Sequence, residues 1–134
     1  MIHTASFYEE RDFGKGRLVS IAMEMPDWFL FTYRHRKIVV NEQLQPGWDI
    51  VNSYRAGLLH PDKYKKRYMK LLYSRLGGFM LDVGYGRMKG KKTLDFFKLQ
   101  DGDTLLCWEK YPKFCHRIII AELLMKNGIE VVRK

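Results

Sequence analysis

The segment from Thr104 to Arg117, TLLCWEKYPKFCHR, with the apolar run that follows it to Gly128, constrains the fold more than any other part of the chain. It opens as a short continuous apolar run, passes through charge and a proline, and then places Ile119, Ile120, Leu123 and Leu124 three and four residues apart. The period changes from that of a strand to that of a helix. Asn127-Gly128 supplies the left-handed stop such a helix needs, and the apolar run from Ile129 to Val132 predicts a second strand. A β-α-β unit implies an α/β domain with a mostly parallel sheet, and in such sheets ligands collect beyond the carboxyl ends of the strands. Glu109, Cys115, His116 and Arg117 are expected at that end.

At 134 residues the chain is long enough for one domain, residues 1–134, burying roughly two-thirds of its unfolded surface. No apolar run reaches the roughly 18 residues of a membrane span, so a soluble protein is expected, and the N-terminus has no basic segment followed by a long apolar one, so nothing there resembles a signal peptide. Two cysteines exclude a disulfide-built architecture and make a reducing, cytoplasmic setting the default expectation.

The net charge of +9 is regional: from Phe31 to Lys92 there are fourteen Lys and Arg against four Asp and Glu, and elsewhere ten against eleven. A basic middle gives a physical reason to expect nucleic acid or a phosphate-bearing ligand as partner, although the same charge also serves a merely solvated surface.

Ile2 to Tyr8 predicts a first strand, and Arg17 to Met25 a buried central strand whose end opens a loop at the carboxyl edge. Trp28 to Asn41 allows a hairpin or a loop leading into a strand. Trp48, Val51 and Tyr54 recur at helical spacing after Pro46-Gly47. From Pro61, the residues Tyr64, Tyr68, Leu71, Leu72 and Leu76 form one apolar stripe, with Lys63, Lys66, Arg67, Lys70 and Arg75 opposite. The tyrosines fit a core better than a base-stacking platform. Phe79 to Val83 predicts a further strand. Residues 84–92, GYGRMKGKK, then combine three glycines with Arg87, Lys89, Lys91 and Lys92, material suited to approaching phosphate. The spacing fits neither a Walker A loop nor a G-x-G-x-x-G turn. Thr93 to Leu99 predicts a short helix or strand.

Several chemistries compete for the last crossover. Cys107 lies inside the apolar run and reads as a buried core residue. Cys115, at a helix N-terminus beside histidine and arginine, has the surroundings that favour a thiolate, so a nucleophile at Cys115 with His116 or Glu109 moving the proton is one reading. Adjacent helical residues point about 100° apart, so Cys115 and His116 need not face the same ligand in that reading. Anion binding by Arg117 with Arg87, Lys89, Lys91 and Lys92 is another, and an architectural Arg117–Glu109 pair a third. Cys107, Cys115 and His116 offer only three metal ligands without a short C-x(2–4)-C pair, so no metal or cofactor is assigned.

Residues 105–117, followed by an apolar helix, closely resemble the C-terminal signature of domain-of-unknown-function family four-hundred-eighty-eight, the YeaO-like proteins. Ser20-Ile21 before Pro26, Trp48 with Ile50-Val51, Tyr54-Arg55, Tyr64 and Tyr68 look like that family's other landmarks in order. The resemblance implies a small three-layer Rossmann-like α/β domain and no settled activity. The expectation is a protein that binds or processes a nucleotide or nucleic acid through an anion pocket at the start of the last helix. The alternatives are a small-molecule enzyme with a cysteine nucleophile and a non-catalytic interaction module.

Overall fold

A computed structural model of the chain describes residues 1–76, 91–109 and 114–132, with the backbone alone for residues 91 and 92. Five strands make one all-parallel sheet: β1 (Ile2–Ser6), β2 (Leu18–Ser20), β3 (Ile38–Val40), β4 (Thr104–Cys107) and β5 (Val131–Val132), in the spatial order β3-β2-β4-β1-β5. The last crossover forms as expected, but β5 pairs with β1, so the connection passes over β1 instead of returning beside β4. Among the described residues no helix is long and apolar enough to cross a membrane.

The central strands are buried on both faces, which is why they read as continuous apolar runs rather than alternating ones. Alternation along β4 sends Leu105 to one core and Leu106 to the other. On the Leu105 side pack α2 (Trp48–Arg55), α3 (Pro61–Leu76), α4 (Lys91–Phe96) and α5 (His116–Lys126), through Ile50, Tyr68, Leu94, Ile120 and Leu124 among others. The opposite layer is thinner. There α1 (Phe29–Thr32) sets Phe29 beside Phe7, Leu18 and Leu106. The domain is therefore a three-layer α/β fold of Rossmann-like kind with unequal helical layers.

Glycine ends two of these helices by the same device. After α5, Gly128 adopts φ 77°, its N–H donates to Met125 O and the Ile129 N–H donates to Leu124 O. After α2, Gly57 at φ 74° repeats the pattern with Tyr54 O and Ser53 O. Both are Schellman caps; the one after α2 lets the chain turn into α3, and the one after α5 lets it turn into β5.

Three expectations need correction. Of the two readings of Trp28–Asn41, the hairpin falls and the strand at its end stands: the region holds the short helix α1 and then β3, parallel to β2. The central strand stops at Ser20, and the residues to Met25 leave the sheet as a loop. Lys91 and Lys92 begin α4 instead of ending a glycine-rich loop. The strand expected at residues 79–83, and Arg87 and Lys89, lie outside the described residues.

The tyrosine stripe on α3 is core, as its spacing suggested. Tyr68 is fully buried, donates its hydroxyl to Leu44 O at 2.5 Å, and meets the His116 ring edge-to-face at 5.5 Å. Tyr68→Phe keeps that ring contact and orphans the Leu44 carbonyl. Urea denaturation should report a loss of about 1–3 kcal/mol; a loss below about 0.5 kcal/mol would mean the carbonyl finds another partner.

Candidate functional site

Beyond the carboxyl ends of β2 and β4 the chain diverges, and a cavity of about 320 Å³ opens between the loop after β2, α2 and the start of α5. That is where a doubly wound parallel sheet is expected to leave a crevice. Ala22, Met23 and Glu24 form one wall. Trp48, Tyr54, Tyr64 and Phe114 form the aromatic side, with Tyr64–Phe114 and Tyr54–Phe114 ring centroids 5.0 and 5.4 Å apart. The floor is Cys107, Cys115 and His116, and Glu109 stands half-buried beside them.

His116 is the hinge of the floor. Its Nε2–H donates to Ile21 O at 2.6 Å, which leaves Nδ1 as the lone-pair nitrogen. Ile21 is itself held by its N–H, which donates to Leu106 O at 3.1 Å, so the imidazole hangs from the last rung between β2 and β4. Nδ1 lies 3.7 Å from Cys107 Sγ and 3.6 Å from Cys115 Sγ. All three side chains are buried, at 5%, 5% and 4% exposure.

Helical spacing alone would allow Cys115 and His116 to face apart, and the structure brings them together for a local reason. Cys115 is the N-cap of α5, extended at φ −154° and ψ 153°, so helical geometry begins only at His116. The 100° rule does not reach across that junction, and the sulfur folds back over the imidazole. Cys107 is buried as expected, yet it is no isolated core thiol: its sulfur is joined to that of Cys115 as a disulfide. A nucleophilic Cys115 therefore requires prior reduction. Even then, burial disfavours the thiolate–imidazolium pair that such catalysis uses.

Arg117 turns the other way. It is 2% exposed, it does not line the cavity, and its Nη1 is buried without a hydrogen bond among the described residues. Burial pushes its pKa down, while the carboxylates of Glu9, Glu109 and Asp12 act in the opposite direction. The anion pocket centred on Arg117 is thus replaced by a cavity built without it. Glu109 connects the two regions, facing the cavity while supporting the buried guanidinium. Sequence reasoning missed Trp48, Tyr54 and Arg55 as cavity residues; the helical spacing of α2 marked the face, but only the position of α2 over the strand ends brings it to the floor.

Comparison of the chain with protein-family models, with curated proteins and with solved structures gave no match. The site is read from its own geometry.

Burial holds the His116 pKa down from 6.5 to about 4, the Ile21 hydrogen bond opposing this and Arg117 adding to it. The unfolded chain takes up this proton near 6.5 and the folded one only near 4. The stabilisation is therefore complete above the unfolded value and is lost as pH falls through that window, by about 3 kcal/mol in all. Chelator-treated protein should show this loss in denaturant titrations, and His116→Gln should lack that part of it. Equal slopes for the two proteins would contradict a neutral buried imidazole.

Proposed function

We propose that the protein binds a nucleotide, with its planar base in the aromatic cavity and its phosphates over the adjoining basic surface of α3. One observation carries the reading: Trp48 and Pro46 wall both the cavity and a second depression of about 550 Å³, lined by Arg67, Lys70 and Arg75. Trp48 is 41% exposed between them. A ligand crossing it meets π faces on one side and, beside Asp49, the cations Arg67 and Lys70 on the other, while Arg75 is held by the Glu42, Gln43 and Gln45 carbonyls.

The volume of the cavity suits one base rather than several, and ligand pockets of this size orient their occupant with a few polar groups in an apolar wall. Glu24 and Glu109 offer acceptors to exocyclic amines, and Arg55 a donor. The lysines and arginines of α3 are exposed, as phosphate contacts in a steering surface would be. Kinship with the YeaO-like proteins is proposed on residues 105–117 and brings no activity with it.

Titration of nucleoside monophosphates, the matching nucleosides and a short single strand, read by tryptophan quenching, tests the proposal. The nucleotide should bind, and its affinity should fall with salt while the nucleoside's does not. Trp48→Ala should weaken both by about 5-fold or more, since base–aromatic stacking is worth ~1–3 kcal/mol. Arg67→Ala with Lys70→Ala should weaken the nucleotide alone. Equal binding of nucleoside and nucleotide would overturn the phosphate assignment. Binding of the single strand alone would move the reading to nucleic acid, and no quenching by any of them would end it.

A further inference from the structure

We infer that Cys107, Cys115 and His116 Nδ1, with both cysteines reduced, form a three-ligand site for a zinc-class divalent cation whose fourth position faces the cavity. The inference stands apart from nucleotide binding. Among the described residues this trio is the one group of three potential metal-ligating side chains that converges, its donor atoms all lying within 4.8 Å of one another.

The distances fit a tetrahedral ion. With Zn–S near 2.3 Å and Zn–N near 2.05 Å, the nitrogen and each sulfur of a tetrahedral site stand about 3.5 Å apart. Nδ1 lies 3.6 and 3.7 Å from the two sulfurs. Only the sulfurs must separate, and the Cα atoms of Cys107 and Cys115, 7.3 Å apart, need not draw closer for that.

The surroundings supply what a ligating histidine needs. Its other nitrogen is engaged with a backbone carbonyl, which fixes the tautomer and aims the free lone pair at the sulfurs. Tyr68 packs edge-on against the ring and holds its plane. Charge balance favours the same occupant. Two thiolates alone would be costly in a buried floor, whereas a dication with two thiolates and a neutral imidazole has no net charge. Two sulfurs and one imidazole suit zinc among the divalent ions, and three protein ligands with an exchangeable fourth are the pattern of reactive rather than structural zinc.

The redox bookkeeping is closed by a dithiol of the thioredoxin class. It gives two electrons and two protons to the Cys107–Cys115 bond and ends as its own disulfide. Binding the cation then releases the two thiol protons to solvent. Disulfide and metal are mutually exclusive states of one floor.

The test uses full-length protein reduced with a phosphine, which leaves as phosphine oxide, then desalted without oxygen and titrated with Co²⁺ and Zn²⁺. One equivalent of Co²⁺ should give thiolate-to-cobalt charge-transfer absorption with the visible bands of tetrahedral cobalt, and one equivalent of Zn²⁺ should abolish both. Disulfide-form protein should give neither. Removing a group that only hydrogen-bonds a metal ligand already costs about 10–100-fold in affinity, so Cys115→Ser and His116→Gln, which remove a ligand itself, should each cost at least about 100-fold. His116→Cys, which restores a ligand, should recover binding, and that separates ligation from misfolding. Reduced wild-type protein that takes up no stoichiometric ion, or binds one without thiolate charge transfer, overturns the inference. Metal uptake without nucleotide binding leaves it standing and removes only the nucleotide proposal.

Discussion

The hydrogen bond from His116 Nε2 to the Ile21 carbonyl, 2.6 Å long and wholly buried, ties the first residue of α5 to the chain just past β2. Much of the site follows from that tie. It fixes how far α5 stands from the strand ends, sets which imidazole nitrogen keeps its lone pair, and brings the Cys115 sulfur over Cys107. Ile21 can serve as the anchor because its own N–H is still in the sheet while the next residues have left it. The cavity is the space that this divergence leaves, roofed by aromatic side chains from α2 and from the approach to α5.

The fold was legible where burial dictates composition. TLLC in β4 is buried on both faces and could hardly be polar; the spacing of Ile119, Ile120, Leu123 and Leu124 gave α5, and the Schellman glycine at 128 gave its end. The stripe on α3 was equally clear. Strand order was not, because local pattern cannot say that β1 inserts between β4 and β5; that depends on the crossover passing over a strand more than 100 residues away in sequence.

The site was half legible. Residue types at 109, 115 and 116 pointed to one end of one strand, and the structure assembles those three around a single floor with Cys107, which the apolar run had marked only as core. What misled was treating Cys115 as a helical residue. An extended N-cap reverses its direction, and that single backbone state turns two separate cysteines into neighbours. Arg117 misled for the converse reason: it is truly helical, so it points away from His116 and into the acidic surroundings of Glu9 and Asp12. The three elements that shape the cavity wall come from distant parts of the sequence, and no local signal joins Trp48 to Cys115.

Whether the floor has the chemistry assigned to it depends on the state of one nitrogen. Long-range ¹⁵N–¹H correlation of the His116 ring, in reduced and metal-free protein at neutral pH, observes that state directly. The expected state is the neutral tautomer protonated on Nε2, with Nδ1 bare toward the sulfurs. A proton on Nδ1, or an imidazolium, would contradict it.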